Sequence, residues 1–115
     1  MSKPHTSLLN RFIFQTPEEN LVAAILRQAW CDAFMIITAD GEYYGYHQRQ
    51  EQRYAKRMFE GQPKDEWRQS LRVLASAIEI DDNSLVDGYF KYKNVVKKSE
   101  VEPEKAFDIL LKTLI

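Results

Sequence analysis

The sequence predicts an all-α fold: a compact bundle of about five helices around one core, with a helix-turn-helix-like corner. Three observations carry this expectation. Thr16-Pro17-Glu18-Glu19 is a complete helix start. Trp67, Leu71, Leu74 and Ile78 recur at spacings of four, three and four, one continuous helical stripe. Pro103 opens a third periodic run whose Phe107, Leu110, Leu111 and Leu114 share a side.

Residues 1–15 read as an irregular N-terminal arm, in which Leu8, Leu9, Phe12, Ile13 and Phe14 could anchor to the body or to another subunit. Residues 16–115 read as a single helical domain. In its first helix, Thr16 is the N-cap, Pro17 suits the first helical position, and Glu19 completes a capping box. That helix should run from Pro17 into the middle thirties. Its apolar residues fall on almost every face, with Arg27, Gln28 and Asp32 leaving a narrow polar stripe, so a central, surrounded position is expected.

Residues 34–46 admit two readings. Phe34-Met35-Ile36-Ile37-Thr38 and Tyr43-Tyr44-Gly45-Tyr46 could pair as a small β-hairpin around Asp40-Gly41. The preferred reading ends the first helix near Thr38 and places an aromatic-rich loop before the second. From His47 to Phe59 strong helix formers dominate, with Tyr54, Ala55, Met58 and Phe59 as the apolar side. Gly61 and Pro63 stop that helix. The third begins around Lys64. Asp81-Asp82-Asn83-Ser84 is turn and N-cap chemistry, followed by a short helix from Leu85 to about Tyr92 that Gly88 weakens by about 1 kcal/mol relative to Ala.

Composition narrows the function classes. The chain is 44% apolar, 12% aromatic and 29% charged, with a net charge of −1. These values fit one globular domain and argue against disorder or a uniformly basic nucleic-acid binder. The single cysteine, Cys31, excludes an intrachain disulfide and fits a reducing compartment. Met1 to Asn10 contains no apolar h-region, and the most apolar stretch, Leu21 to Ile37, is broken by Arg27, Gln28 and Asp32. A cytoplasmic location and no membrane partner are therefore expected.

The segment Leu74 to Val86 has the cadence of a helix-turn-helix. Ala75 is small enough for close helix approach, while Ile80 and Leu85 can pack inward. Glu79 occupies the turn position where glycine is favoured for its tolerance of positive φ. The first turn after the corner carries acids and no base, which disfavours contact with phosphates.

The small net charge conceals blocks. Residues 47–72 hold seven basic and four acidic residues, a local +3; residues 76–90 hold four acids and no base; residues 91–98 hold four lysines. Two kinds of partner follow. Glu79, Asp81, Asp82 and Asp87, or the aromatic Tyr43, Tyr44 and Tyr46, could meet a partner protein. Alternatively Arg49, Arg53, Lys56 and Arg57, which share a helix face, could bind nucleic acid together with Lys91 and Lys93 while tyrosines stack on bases.

Catalytic signals are poor. His5, His47 and Cys31 show no metal-ligand spacing, and Gly41 and Gly45 do not form a phosphate-binding loop. No enzyme activity, cofactor or metal is expected.

Ile25-Leu26-Arg27-Gln28-Ala29, Tyr54-Ala55-Lys56-Arg57-Met58-Phe59 and Trp67 through Leu85 resemble, in order, segments of small helical proteins encoded in bacteriophages and prophages. The resemblance spans Leu21 to Tyr92. It departs where Glu79-Ile80-Asp81-Asp82 replaces a Gly-hydrophobe-Asp-Pro run, and where Asp87 and Gly88 stand at arginine positions. It implies a helical fold and carries over no activity. The expected function is a non-enzymatic accessory protein, a small regulator or inhibitor, acting through protein–protein interaction as a monomer or homodimer. A weak nucleic-acid-binding role is the alternative.

Overall fold

The computed structural model describes residues 16–35, 42–95 and 101–115, with the backbone alone described at 42–44. Five helices occupy them: α1 (Pro17–Phe34), α2 (Glu42–Glu60), α3 (Glu66–Ala77), α4 (Asp82–Val95) and α5 (Pro103–Leu114). The expected all-α bundle is what forms. The arm at residues 1–15 and the first strand of the hairpin reading, beyond Met35, lie outside the described residues.

Helix α1 starts as its sequence dictates. Thr16 Oγ1 accepts from the Glu19 amide at 3.1 Å, and Glu19 Oε1 accepts from the Thr16 amide at 3.0 Å. Ala23, Leu26, Ala29, Trp30 and Ala33 form its buried side, and the helix packs on α2, α3 and α5. It is central but not surrounded: Leu21 is 62% exposed and Ile25 44%. Arg27 does not belong to a solvated stripe, because it turns onto the buried Asp108 of α5.

The hairpin alternative is incompatible with α2, which takes in Tyr43 through Tyr46, and so is an aromatic loop over those residues. The reason lies in a stripe that hydropathy hides. Gly45, Gln48, Gln52, Ala55 and Phe59 recur at helical spacing and are buried or half-buried, so the inward face continues back through polar residues. Gln52 satisfies that burial by donating to the Met35 carbonyl at the end of α1, at 2.7 Å.

Helix α3 is capped by Asp65, whose carboxylate accepts from the amides of Trp67 at 2.8 Å and Arg68 at 3.3 Å. Helix α4 starts at Asp82, three residues before the sequence expectation, because the Asp81 carbonyl already accepts from the Ser84 and Leu85 amides. It also runs on to Val95. Gly88 has a packing role there: a Cβ at this position would meet Leu110 Cδ2 of α5 at 2.5 Å.

An aromatic cluster fills the core. The Trp30 ring lies 5.8 Å from Phe59, 5.7 Å from Tyr89 and 5.4 Å from Phe107, so one α1 side chain joins α2, α4 and α5. The edge-to-face and tilted geometries suit aromatic quadrupoles, and truncating such a residue costs about 3–5 kcal/mol. Among the described residues no helix is long and apolar enough to cross a membrane.

Candidate functional site

The α3–α4 corner has the packing its sequence suggests. Ala75, Ile80 and Leu85 are all buried. The Ile80 amide reaches back to the Ala75 carbonyl at 2.9 Å and the Glu79 amide to Ser76 at 3.0 Å, closing the end of α3. Glu79 adopts φ 57°, the left-handed region that favours glycine, and is the sole non-glycine with positive φ among the described residues.

Two of the four corner acids have work inside the fold. Asp82 accepts from Arg68 Nη1 at 2.6 Å, and Arg68 Nη2 donates to Asn83 at 3.1 Å. Asp81 accepts from the Ser84 hydroxyl at 3.2 Å. Glu79 and Asp87 remain exposed.

The basic candidates divide likewise. Arg57 donates twice to Asp65, from Nε at 3.1 Å and Nη2 at 2.8 Å, and this contact holds the Asp65 carboxyl below the usual carboxylate range. Lys93 donates to Glu60 at 2.9 Å, and the Tyr89 hydroxyl donates to the same oxygen. Burial pushes the Glu60 carboxyl up, but these two hydrogen bonds outweigh it and hold the group below its ordinary value. Arg49, Arg53 and Lys56 project from one outward side of α2, and Lys91 is exposed on α4. Tyr46, 54% exposed, lies on the same side of α2 as Arg49 and Arg53, with its hydroxyl accepting from Gln50 at 2.9 Å. The side chains of Tyr43 and Tyr44 lie outside the described residues.

A further surface lies between α1 and α2. Ala29, Ala55 and Met58 line a recess of about 330 Å³, with Ile25 on its α1 wall. Its opposite wall is Tyr54 laid on Trp67 of α3, the rings 4.6 Å apart and 17° from parallel. The alanines make this recess: with a methyl group at each position, two packed helices leave space that larger side chains would fill. Asp32 and Glu51 stand among the lining residues. Burial raises the Asp32 carboxyl, the hydrogen bond from Gln28 at 2.8 Å opposes that, and Glu51 adds to the rise.

The lining suits binding more than bond-making. It offers apolar and aromatic surface beside two carboxylates, which fits an apolar side chain accompanied by a cation. Cys31, elsewhere on α1, has its thiol pushed up to about 11 by burial and so holds its proton at neutral pH. Among the described residues no group of three His, Cys, Asp or Glu could hold a metal ion.

Composition and motif spacing do not find this recess, although one signal is present in the sequence. The apolar arc of α1 is wider than one buried face needs, and Leu21 and Ile25 are the surplus. Comparison of the chain with protein-family models, curated proteins and solved structures returns no match.

Proposed function

We propose that this protein acts without catalysis, by docking a segment of a partner protein in the α1–α2 recess. The observation that carries this reading is the recess itself: Ile25, Met58 and the Tyr54–Trp67 pair around an apolar floor, with Asp32 and Glu51 beside it. Aromatic anchors around a small pocket are the usual centre of a binding surface. The two acids select among apolar segments for those carrying Lys or Arg. A small regulator or inhibitor, as the phage-like segment order suggests, needs no more machinery than this. The acidic corner is the weaker docking surface, since Asp82 is already bound to Arg68.

The test is a short designed amphipathic helix of Leu and Lys, compared with its Leu and Glu counterpart, titrated onto the full chain. The basic peptide should bind, Ile25→Asp should abolish binding, and Asp32→Lys with Glu51→Lys should reverse the preference. Indifference to all three substitutions contradicts the proposal.

A second reading rests on Arg49, Arg53 and Lys56, exposed on one side of α2 with Tyr46 available for stacking. It assigns the protein weak single-strand nucleic-acid binding. Affinity should then fall steeply with log salt and disappear in Arg49→Glu with Arg53→Glu.

A further inference from the structure

We propose that the α1–α2 recess takes the outward ridge of α5 from a second copy of this chain, joining copies head to tail. The proposal rests on the docking reading above and names the partner.

The ridge has the chemistry that the recess selects. Ile109 is 55% exposed on α5, with Lys105 one turn before it and Lys112 one turn after, so the three share an outward side. Among the described residues neither lysine has a carboxylate partner, and no exposed acid stands between them. Other exposed apolar residues suit the recess less. Val73 of α3 shares its stripe with Glu66, and Phe90 of α4 has Asp87 one turn before it and Lys93 already held by Glu60.

The receiving surface is laid out to match. Glu18, Ile25 and Asp32 recur every seven residues, two helical turns, and so lie along one line of α1. Glu51 joins Asp32 at the border of the recess. Among the described residues none of these three acids has a cationic partner. An apolar centre with acids at both ends therefore faces an apolar centre with lysines at both ends. Along α1 about 10 Å separates Ile25 from Glu18 and from Asp32, against about 5 Å from Ile109 to each lysine. The four-carbon lysine stems span the difference.

The two surfaces cannot meet within one chain. Arg27 lies two residues from Ile25, about 200° around the helix, and it is Arg27 that grips Asp108 of α5. Helix α1 thus carries its own α5 on one side and the recess on another. Because ridge and recess are different patches, the contact is heterologous. Each joined pair keeps a free ridge and a free recess, and assembly continues until a ring closes.

Complementation tests this in the full chain. Ile25→Asp spoils the recess and leaves the ridge, while Ile109→Asp spoils the ridge and leaves the recess. Both side chains are exposed, so the core is untouched. By light scattering the parent should rise above one chain with concentration, each variant alone should stay at one chain, and their mixture should stop at two. Lys105→Glu with Lys112→Glu should weaken self-association at least about tenfold, and that chain should pair with one carrying Asp32→Lys and Glu51→Lys. A parent that stays at one chain up to about 1 mM overturns the proposal. So does either aspartate variant associating like the parent, or a mixture that stays at one chain.

The Leu and Lys peptide separates this claim from the docking claim. In excess it should return the parent to one chain, and association that survives a saturated recess overturns the proposal. A parent at one chain that still binds the peptide overturns self-association and leaves docking standing. If the peptide fails to bind while the aspartate variants complement as stated, docking of foreign segments falls and the contact between copies stands.

Discussion

Arg27 of α1 grips Asp108 of α5 in parallel, Nε to Oδ1 at 3.0 Å and Nη2 to Oδ2 at 3.3 Å, and the Asp108 side chain is only 5% exposed. Glu104 stands 3.9 Å away as a weaker second partner. The Asp108 hydrogen bond raises the Arg27 pKa above its ordinary value, so the guanidinium stays charged throughout the accessible range. Removing one partner strands the other. Asp108→Ala should cost about 2–3 kcal/mol, the lower part of the range for buried pairs because Arg27 keeps some water contact. Replacing both, Arg27→Met with Asp108→Leu, should return stability to within about 1 kcal/mol of the parent. Urea denaturation of the three variants checks this; simple additivity would contradict it.

Glu79 sits in the left-handed region at φ 57°. That conformation costs an L-residue about 1 kcal/mol, partly offset on replacement by the greater unfolded-state freedom of glycine. Glu79→Gly should therefore stabilise by roughly 0.5–1 kcal/mol, and Glu79→Ala should not. Equal effects from the two substitutions would show that charge, not backbone, governs the site.

Gly88 and Leu110 should be coupled. A Cβ on Gly88 would lie 2.5 Å from Leu110 Cδ2 and 3.1 Å from its Cγ, so the leucine must shift. Gly88→Ala alone sets a helix-propensity gain of about 1 kcal/mol against overpacking of about 1–3 kcal/mol, and should destabilise. With Leu110→Ala already in place, the same substitution should stabilise by about 1 kcal/mol. A double-mutant cycle reads the difference directly.

Acid should weaken the α2–α4 contact through Glu60. Its folded pKa is lowered from 4.5, so the carboxylate contributes stability above that value, and the contribution is lost as pH falls through the folded pKa. Asp32 acts in the opposite sense. Its folded pKa is raised from 3.8, so its protonation favours the fold, and stability is lost as pH rises between the unfolded and folded values. Glu60→Gln should flatten the acid limb of the stability curve, and Asp32→Asn should raise stability at neutral pH. Melting temperatures between pH 3 and 7 (about the carboxylate range) separate the two.

The sequence speaks clearly where local chemistry decides and is silent where tertiary contacts do. The Thr16–Glu19 box, the Gly61-Pro63 stop and the Trp67 stripe name helices because caps and period are local properties. The early start of α2 is hidden, because Gln48 and Gln52 hold inward positions that a hydropathy pattern assigns to water. The inward side of the corner is legible in Ala75, Ile80 and Leu85. The engagement of Asp82 by Arg68, fourteen residues away, is not. The recess escapes sequence reading for the same reason: three helices build it, and the residues that make room are alanines.

The central claim is that the α1–α2 recess, rather than the basic side of α2, is the working surface. Amide and indole shifts of the full chain, recorded against the Leu and Lys peptide and separately against a single-stranded oligonucleotide, test it most directly. The account predicts saturable peptide shifts centred on Ile25, Tyr54 and the Trp67 indole, with the oligonucleotide leaving Arg49, Arg53 and Lys56 unmoved at moderate salt. Saturable oligonucleotide shifts on those three residues, with the recess silent toward the peptide, would contradict it.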